Sequence, residues 1–194
     1  HETTLAGLPQ IAAVEQLKKA GKDKERIRLI REGKLPYETV TGAVTANKKI
    51  WEALMHQMPV FALLRHLNTF EREGLLEHPQ HLRYVTERLT DAEALRKSKI
   101  LPMRFATAYD QVRRPALQEA LAEAVDLTFA SLPELPGRTA ILLDISGSMK
   151  GEYLRTGSVF ALALYKKTGG NSIFLTFDHE VHDPQPPRTA GIMS

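Results

Sequence analysis

The sequence predicts a mainly α chain: a module of short helices up to about residue 132, then the first part of an α/β (Rossmann-like) domain. Three observations carry this. Apolar residues recur at three- and four-residue spacing through the helical part. Two prolines and a glycine in Pro133-Glu134-Leu135-Pro136-Gly137 end that pattern. Beyond them the pattern becomes strand, loop, helix, strand, the outline of one βαβ unit. The expected organisation is a helical domain over 1–132, a linker over 133–137 and an incomplete α/β domain over 138–194.

The helical elements follow from their stripes. Ile11, Val14 and Leu17 give the first, and Ile27 with Ile30 the second. Ile50, Trp51, Leu54, Met55 and Met58 give a third. Pro59 is placed to open another helix with Leu63, Leu64 and Leu67 inward. Leu82, Val85 and Leu89 mark a further one. Leu101-Pro102 opens the next, with Phe105, Ala108, Tyr109 and Val112 inward, and Pro115 opens the last, with Leu117, Leu121, Ala124, Val125 and Phe129. Breaks fall at Gly21, Gly33–Pro36, Gly74–Pro79 and Arg114-Pro115. Helices of roughly 10–18 residues in antiparallel pairs suit a solenoid, but no sequence period is visible, so an irregular bundle stays equally open.

In the second part, residues 138–144 read as a buried strand, 145–151 as a loop and 152–168 as a helix. Val159 to Tyr165 is apolar on every side, and its Ala and Leu content favours a buried crossover helix. Gly169-Gly170-Asn171 turns into a second strand, Ser172–Phe177. One such unit leaves a sheet face to cover, so the domain is expected to continue past Ser194.

Composition sets limits. The chain has 194 residues, 43% hydrophobic and 25% charged, which is ordinary for a folded protein. There is no cysteine, which excludes disulfides and thiolate metal sites and fits a reducing compartment; a cytoplasmic location is expected. No apolar run approaches the ~20 residues of a membrane span. The start, His1-Glu2-Thr3-Thr4, has neither an initiator Met nor the features of a signal peptide, so the chain is expected to begin inside a longer protein. Net charge is only +3, but it is unevenly spread. Residues 18–34 hold eight Lys/Arg against three acids, and 96–114 hold Arg96, Lys97, Lys99, Arg104, Arg113 and Arg114 against Asp110 alone. Such segments attract phosphate backbones or simply form solvated helix faces.

Asp144-Ile145-Ser146-Gly147-Ser148 carries the chemistry. It follows the apolar run Thr139–Leu143, so it stands at the carboxyl end of a parallel strand, where open sheets bind ligands. Asp144 offers a carboxylate and Ser146 and Ser148 offer hydroxyls, hard oxygen donors suited to Mg²⁺ or another divalent cation. The simpler reading has Asp144 ending the strand and Ser148 capping the next helix. An aspartyl-phosphate enzyme needs a second Asp at position 146, where Ser stands. A nucleophile elbow needs Gly-x-Ser-x-Gly, and Gly147-Ser148-Met149-Lys150-Gly151 does not supply it. With no acid–base pair in evidence, the chain is expected not to be an enzyme. Asp178-His179-Glu180 and His182-Asp183 read as a polar hairpin or loop.

Leu142–Met149 resembles the metal-ion-dependent adhesion site of von Willebrand A-type domains. Trp51–Pro59 running into Ala62–Leu67 resembles the W-x-A-L-x-x-M-P-x-x-A-L-L-R-x-L stretch of the TROVE domain of Ro-type ribonucleoproteins, and Ser98–Phe105 resembles that family's K-A-R-I-H-P-F segment. Together these cover roughly residues 10–183. The resemblance implies HEAT-like helical repeats closed into a ring by an A-type domain, with Asp144, Ser146 and Ser148 as metal ligands. It implies small noncoding (Y-type) RNA and structured or misfolded RNA as partners, RNA quality control alongside an exoribonuclease as the role, and no membrane. It also implies that the earlier repeats precede His1, and that the Thr and second Asp completing the metal site follow Ser194. Arg96, Lys97, Lys99, Arg104, Arg113 and Arg114 are a hypothetical RNA face. The alternative is an adhesion or assembly module whose Asp144 metal binds an acidic residue of another protein.

Overall fold

The computed structural model describes residues 9–132, 135–189 and 191–193. They form two compact units, residues 1–85 and 86–194. The helix preceding the first strand ends at Ala130 and that strand begins at Thr139, whereas compaction divides the chain earlier, within a helix. Residues 133 and 134 of the expected linker lie outside the described residues.

The first unit contains α1 (Pro9–Lys19), α2 (Asp23–Gly33), α3 (Tyr37–Ala43), α4 (Lys48–Met55), α5 (Val60–Arg65) and α6 (Leu67–Arg72), then a 3₁₀ turn at Leu75–Glu77 and most of α7 (Pro79–Leu89). Its core is formed by Leu17, Ile30, Val40, Ile50, Leu54, Met55, Leu63, Leu67, Phe70 and Leu75, all essentially without solvent contact. Asn47 starts α4 by accepting a hydrogen bond from the Ile50 N–H at 3.2 Å.

Three expectations need correcting here. Ile11 is 48% exposed, because it lies in the opening turn of α1 and only Leu17 of that stripe is buried. Leu29 and Ile30, not Ile27, face the core from α2. The helix expected from Pro59 is two six-residue helices meeting at His66, shorter than the expected 10–18 residues. The change of direction at His66 lets Leu63 and Leu64 on one axis and Leu67 and Phe70 on the other all reach the core. The His66 ring joins an aromatic group, 5.0 Å from both Tyr37 and Trp51.

The second unit contains α8 (Ala92–Ser98), α9 (Pro102–Gln111), α10 (Pro115–Ala130), β1 (Thr139–Asp144), α11 (Glu152–Lys167), β2 (Ser172–Phe177) and β3 (Val181–His182). Proline opens α9 and α10, as the sequence indicates. In α9, Ala106 takes the buried place expected of Ala108 and Tyr109, which are half-buried. β1 and β2 pair in parallel from Thr139 opposite Ser172 to Asp144 opposite Phe177, and α11 is their crossover. β3 returns antiparallel beside β2.

One face of the sheet packs Ile141, Leu143 and Phe174 against Ala161 and Tyr165 of α11. Gly157 permits the close approach: a Cβ there would lie 3.1 Å from Leu143 Cδ1. Arg188 clamps the far end of the sheet. Its guanidinium stacks 3.5 Å from the Tyr165 ring centroid, donates to the Tyr165 carbonyl, and donates to Ser172 O and Oγ at 3.2 and 3.1 Å. The helices of this unit hold α11 from the other side. Phe129 meets Phe160 edge to face at 5.9 Å, Arg155 pairs with Asp110 at 2.5 Å, and Lys167 donates to the Ala130 carbonyl at 3.0 Å.

Candidate functional site

The Asp144 loop is shaped by backbone geometry. The Ile145 N–H donates to Phe177 O at 2.8 Å, extending the β1–β2 ladder past Asp144. Asp144 Oδ1 then accepts from the Ser146 N–H at 2.8 Å, which folds the loop back over the strand end. Gly147–Met149 forms a 3₁₀ turn, and Gly151, at φ 81°, makes the left-handed step into α11. Ser148 does not cap α11; its hydroxyl lies 3.1 Å from that of Ser146.

The donor set fits a small divalent cation. Neighbouring ligands of octahedral Mg²⁺ at ~2.05 Å lie about 2.9 Å apart, close to the spacing of the two hydroxyls. The Asp144 carboxylate has a second oxygen to offer. Among the described residues no three His, Asp or Glu side chains gather to hold a metal, so a cation here would depend on one carboxylate and two hydroxyls and would keep net positive charge.

Beside this loop, at the same sheet edge, Asp178–Glu180 makes the turn from β2 into β3, which is the polar hairpin expected from the sequence. Asp178 Oδ1 accepts from the Glu180 N–H at 3.0 Å and lies 3.3 Å from His182 Nε2 and 3.2 Å from His179 Nδ1. The Glu180 backbone hydrogen bond, then the His182 contact, hold its pKa below the usual carboxylate range.

The six basic residues fall into two groups. Arg96 and Lys97 end α8, Lys99 is its left-handed cap, and Arg104 lies in the first turn of α9. Arg113 and Arg114 follow the other end of α9, about 15 Å away by helix rise. All are exposed except the half-buried Arg114. Lys97 is paired with Glu93 at 2.6 Å. Asp110, the only acid of the segment, is engaged by Arg155.

Sequence reasoning missed a cluster of rings in the first unit. His56 lies 4.4 Å from Tyr84 and 6.1 Å from His81, and His81 lies 4.8 Å from His78. Tyr84 follows His56 by 28 positions, so no local pattern links them; the only signal was four histidines from 56 to 81, three of them in the cluster.

Comparison with known proteins matches the TROVE domain over residues 11–137. The chain belongs to the TROVE domain family. It is 32% identical over 142 residues to a protein named RNA-binding protein RO60 in Deinococcus radiodurans, covering 66% of this chain and 27% of that protein. It is 28% identical over 153 residues to the protein of the same name in Caenorhabditis elegans, covering 72% of this chain and 24% of that protein. The chain thus spans about a quarter of the length of these curated relatives. The structure is similar to the crystal structure of the Deinococcus radiodurans RO (RSR) protein, with a TM-score of 0.76 and 26% identity over 94% of this chain and 41% of that one. The TROVE match includes both basic groups and the ring cluster; the Asp144 loop lies beyond it.

Proposed function

We propose that this TROVE chain is part of a Ro-type RNA-binding scaffold. The observation carrying the proposal is the TROVE match over residues 11–137, joined to relatives named for RNA binding. In this reading the helices are HEAT-like repeats of a ring, and residues 138–194 begin the von Willebrand A-type domain that closes it. Small Y-like noncoding RNAs and structured or misfolded RNAs are bound for quality control in the cytoplasm, with an exoribonuclease as partner, and the scaffold itself is not catalytic. Arg96, Lys97, Lys99, Arg104, Arg113 and Arg114 hold phosphates, supported by the exposure of all but Arg114 and by the withdrawal of Asp110 into an ion pair.

Asp144, Ser146 and Ser148 would hold Mg²⁺ or a similar cation, which when bound supplies an open coordination position for a carboxylate or phosphate oxygen. The loop itself fixes the two hydroxyls side by side. An electrophoretic shift with a structured RNA bearing a single-stranded end separates RNA binding from metal-dependent protein binding. The expected result is a shift that survives both Asp144→Ala and chelation of divalent cations. Absence of any shift with the unaltered chain would overturn the RNA reading.

A further inference from the structure

We propose that the rings of His56, His78 and Tyr84 in the first unit form a stacking platform for the bases of single-stranded RNA, beside a cleft whose Lys22, Lys24, Arg28 and Arg31 take its phosphates. The inference rests on the RNA-binding reading and adds a surface separate from the basic residues at 96–114.

The rings lie outside the core. Their chain neighbours Met55, Leu75, Leu76 and Val85 are buried, while His56 and His78 are exposed and Tyr84 is half-buried. His81 anchors the group from within, 3.2 Å from the Leu75 carbonyl through Nδ1 and 3.6 Å from Glu52 through Nε2. Tyr84 Oη donates to the His56 carbonyl at 3.4 Å and fixes the ring beside it. His56 meets Tyr84 at 57° and His81 at 70°, so the rings are inclined to one another and not stacked face to face. Exposed aromatic faces held in place by side chains behind them are what unpaired bases stack on, and stacking tolerates any base sequence. Burial first, and the charge of His81 next, lower the His56 pKa, which favours the uncharged ring at neutral pH.

The phosphate side is adjacent. α2 packs against α4, the helix that leads into His56. A cleft of about 560 Å³ on α2 is lined by Lys22, Lys24, Arg28 and Arg31 with Ile27, Glu25 and Glu32. Arg28 is held by Glu32 at 3.8 Å, an exposed and weak pair. Arg31 lines this cleft, and its charge also acts on His56. Positive charge along a groove with interleaved rings is the usual arrangement of single-strand binding surfaces.

The test is fluorescence anisotropy with the whole chain and a labelled oligouridine of about twelve nucleotides, beside an abasic oligomer of the same length. His56→Ala with Tyr84→Ala is expected to raise Kd for oligouridine by about tenfold or more, and to leave the abasic oligomer nearly unchanged. Tyr84→Phe, which keeps the ring, is expected to retain affinity. Trp51 fluorescence checks that each variant is folded. A folded double variant that binds oligouridine within about twofold of the unaltered chain overturns the platform. So does an unaltered chain that binds structured RNA but not oligouridine, and in that case the RNA reading stands. If the chain binds neither, the platform and the RNA reading fail together.

Discussion

The helices of the first unit and the sheet of the second differ in how completely they enclose apolar side chains. In the first, Ile50, Met55, Leu63, Phe70 and Leu75, drawn from several helices and a turn, have no contact with solvent. In the second, Ile141, Leu143 and Phe174 point into α11, while Leu142 and Ile173, on the opposite face of the same strands, are 62% and 56% exposed. Strand alternation forces this: successive side chains leave the sheet on opposite sides, so one helix layer covers only half of them. The first unit therefore concentrates its stability in single large side chains. The sheet has a face on which substitution costs little among the described residues.

The largest test of this contrast is Phe70→Ala. It is expected to lower the stability of the first unit by about 3–5 kcal/mol, through lost burial and an unfilled cavity. Trp51, the only tryptophan of the chain and part of the same aromatic group, reports unfolding of this unit in urea. A small loss would mean that the interior collapses onto the gap and is less rigidly packed than its burial implies.

A smaller effect is expected from His66, whose pKa is depressed below its ordinary 6.5 by burial first and the neighbouring Arg65 charge second, with Glu38 opposing them. The folded form then binds fewer protons than the unfolded form. The contribution to stability is complete above about pH 6.5 and is lost as the pH falls below it. His66→Gln is expected to flatten this acid-side slope of the Trp51 unfolding curves in part, because His56 is shifted in the same direction. An unchanged slope would place the titration elsewhere.

The smallest effect is expected at Leu142→Thr, which puts a β-branched strand former on the exposed face and should change stability by no more than about 0.5 kcal/mol. A large loss would show that the exposed sheet face is covered in solution.

Much of this organisation can be read in the chain, and the reasons differ by element. The Asp144 loop is legible because its donors lie within five consecutive residues and follow a buried strand. Helices α9 and α10 are legible because proline marks their first turns. Helix α3 escapes periodicity because Val40 is its only buried residue. Helix α8 carried a usable signal that apolar spacing passes over: Asp91 accepts from the Ala94 N–H at 2.9 Å and starts the helix. The break at His66 could not be read, since Ala62 to Phe70 is apolar enough for one continuous helix. The two basic groups flanking α9 look like one run in sequence, yet a helix length separates them. The ring cluster was hidden for a different reason: its members come from α4's end, the residue before α7 and α7 itself, and only tertiary folding brings them together.

The central claim, that basic residues of a TROVE fold hold RNA through its phosphates, is tested most directly by measuring RNA affinity as a function of salt. Several phosphate contacts predict a linear fall of log affinity against log salt, amounting to about tenfold or more between roughly 50 and 200 mM. Affinity that stays flat across that range would contradict phosphate-dominated binding.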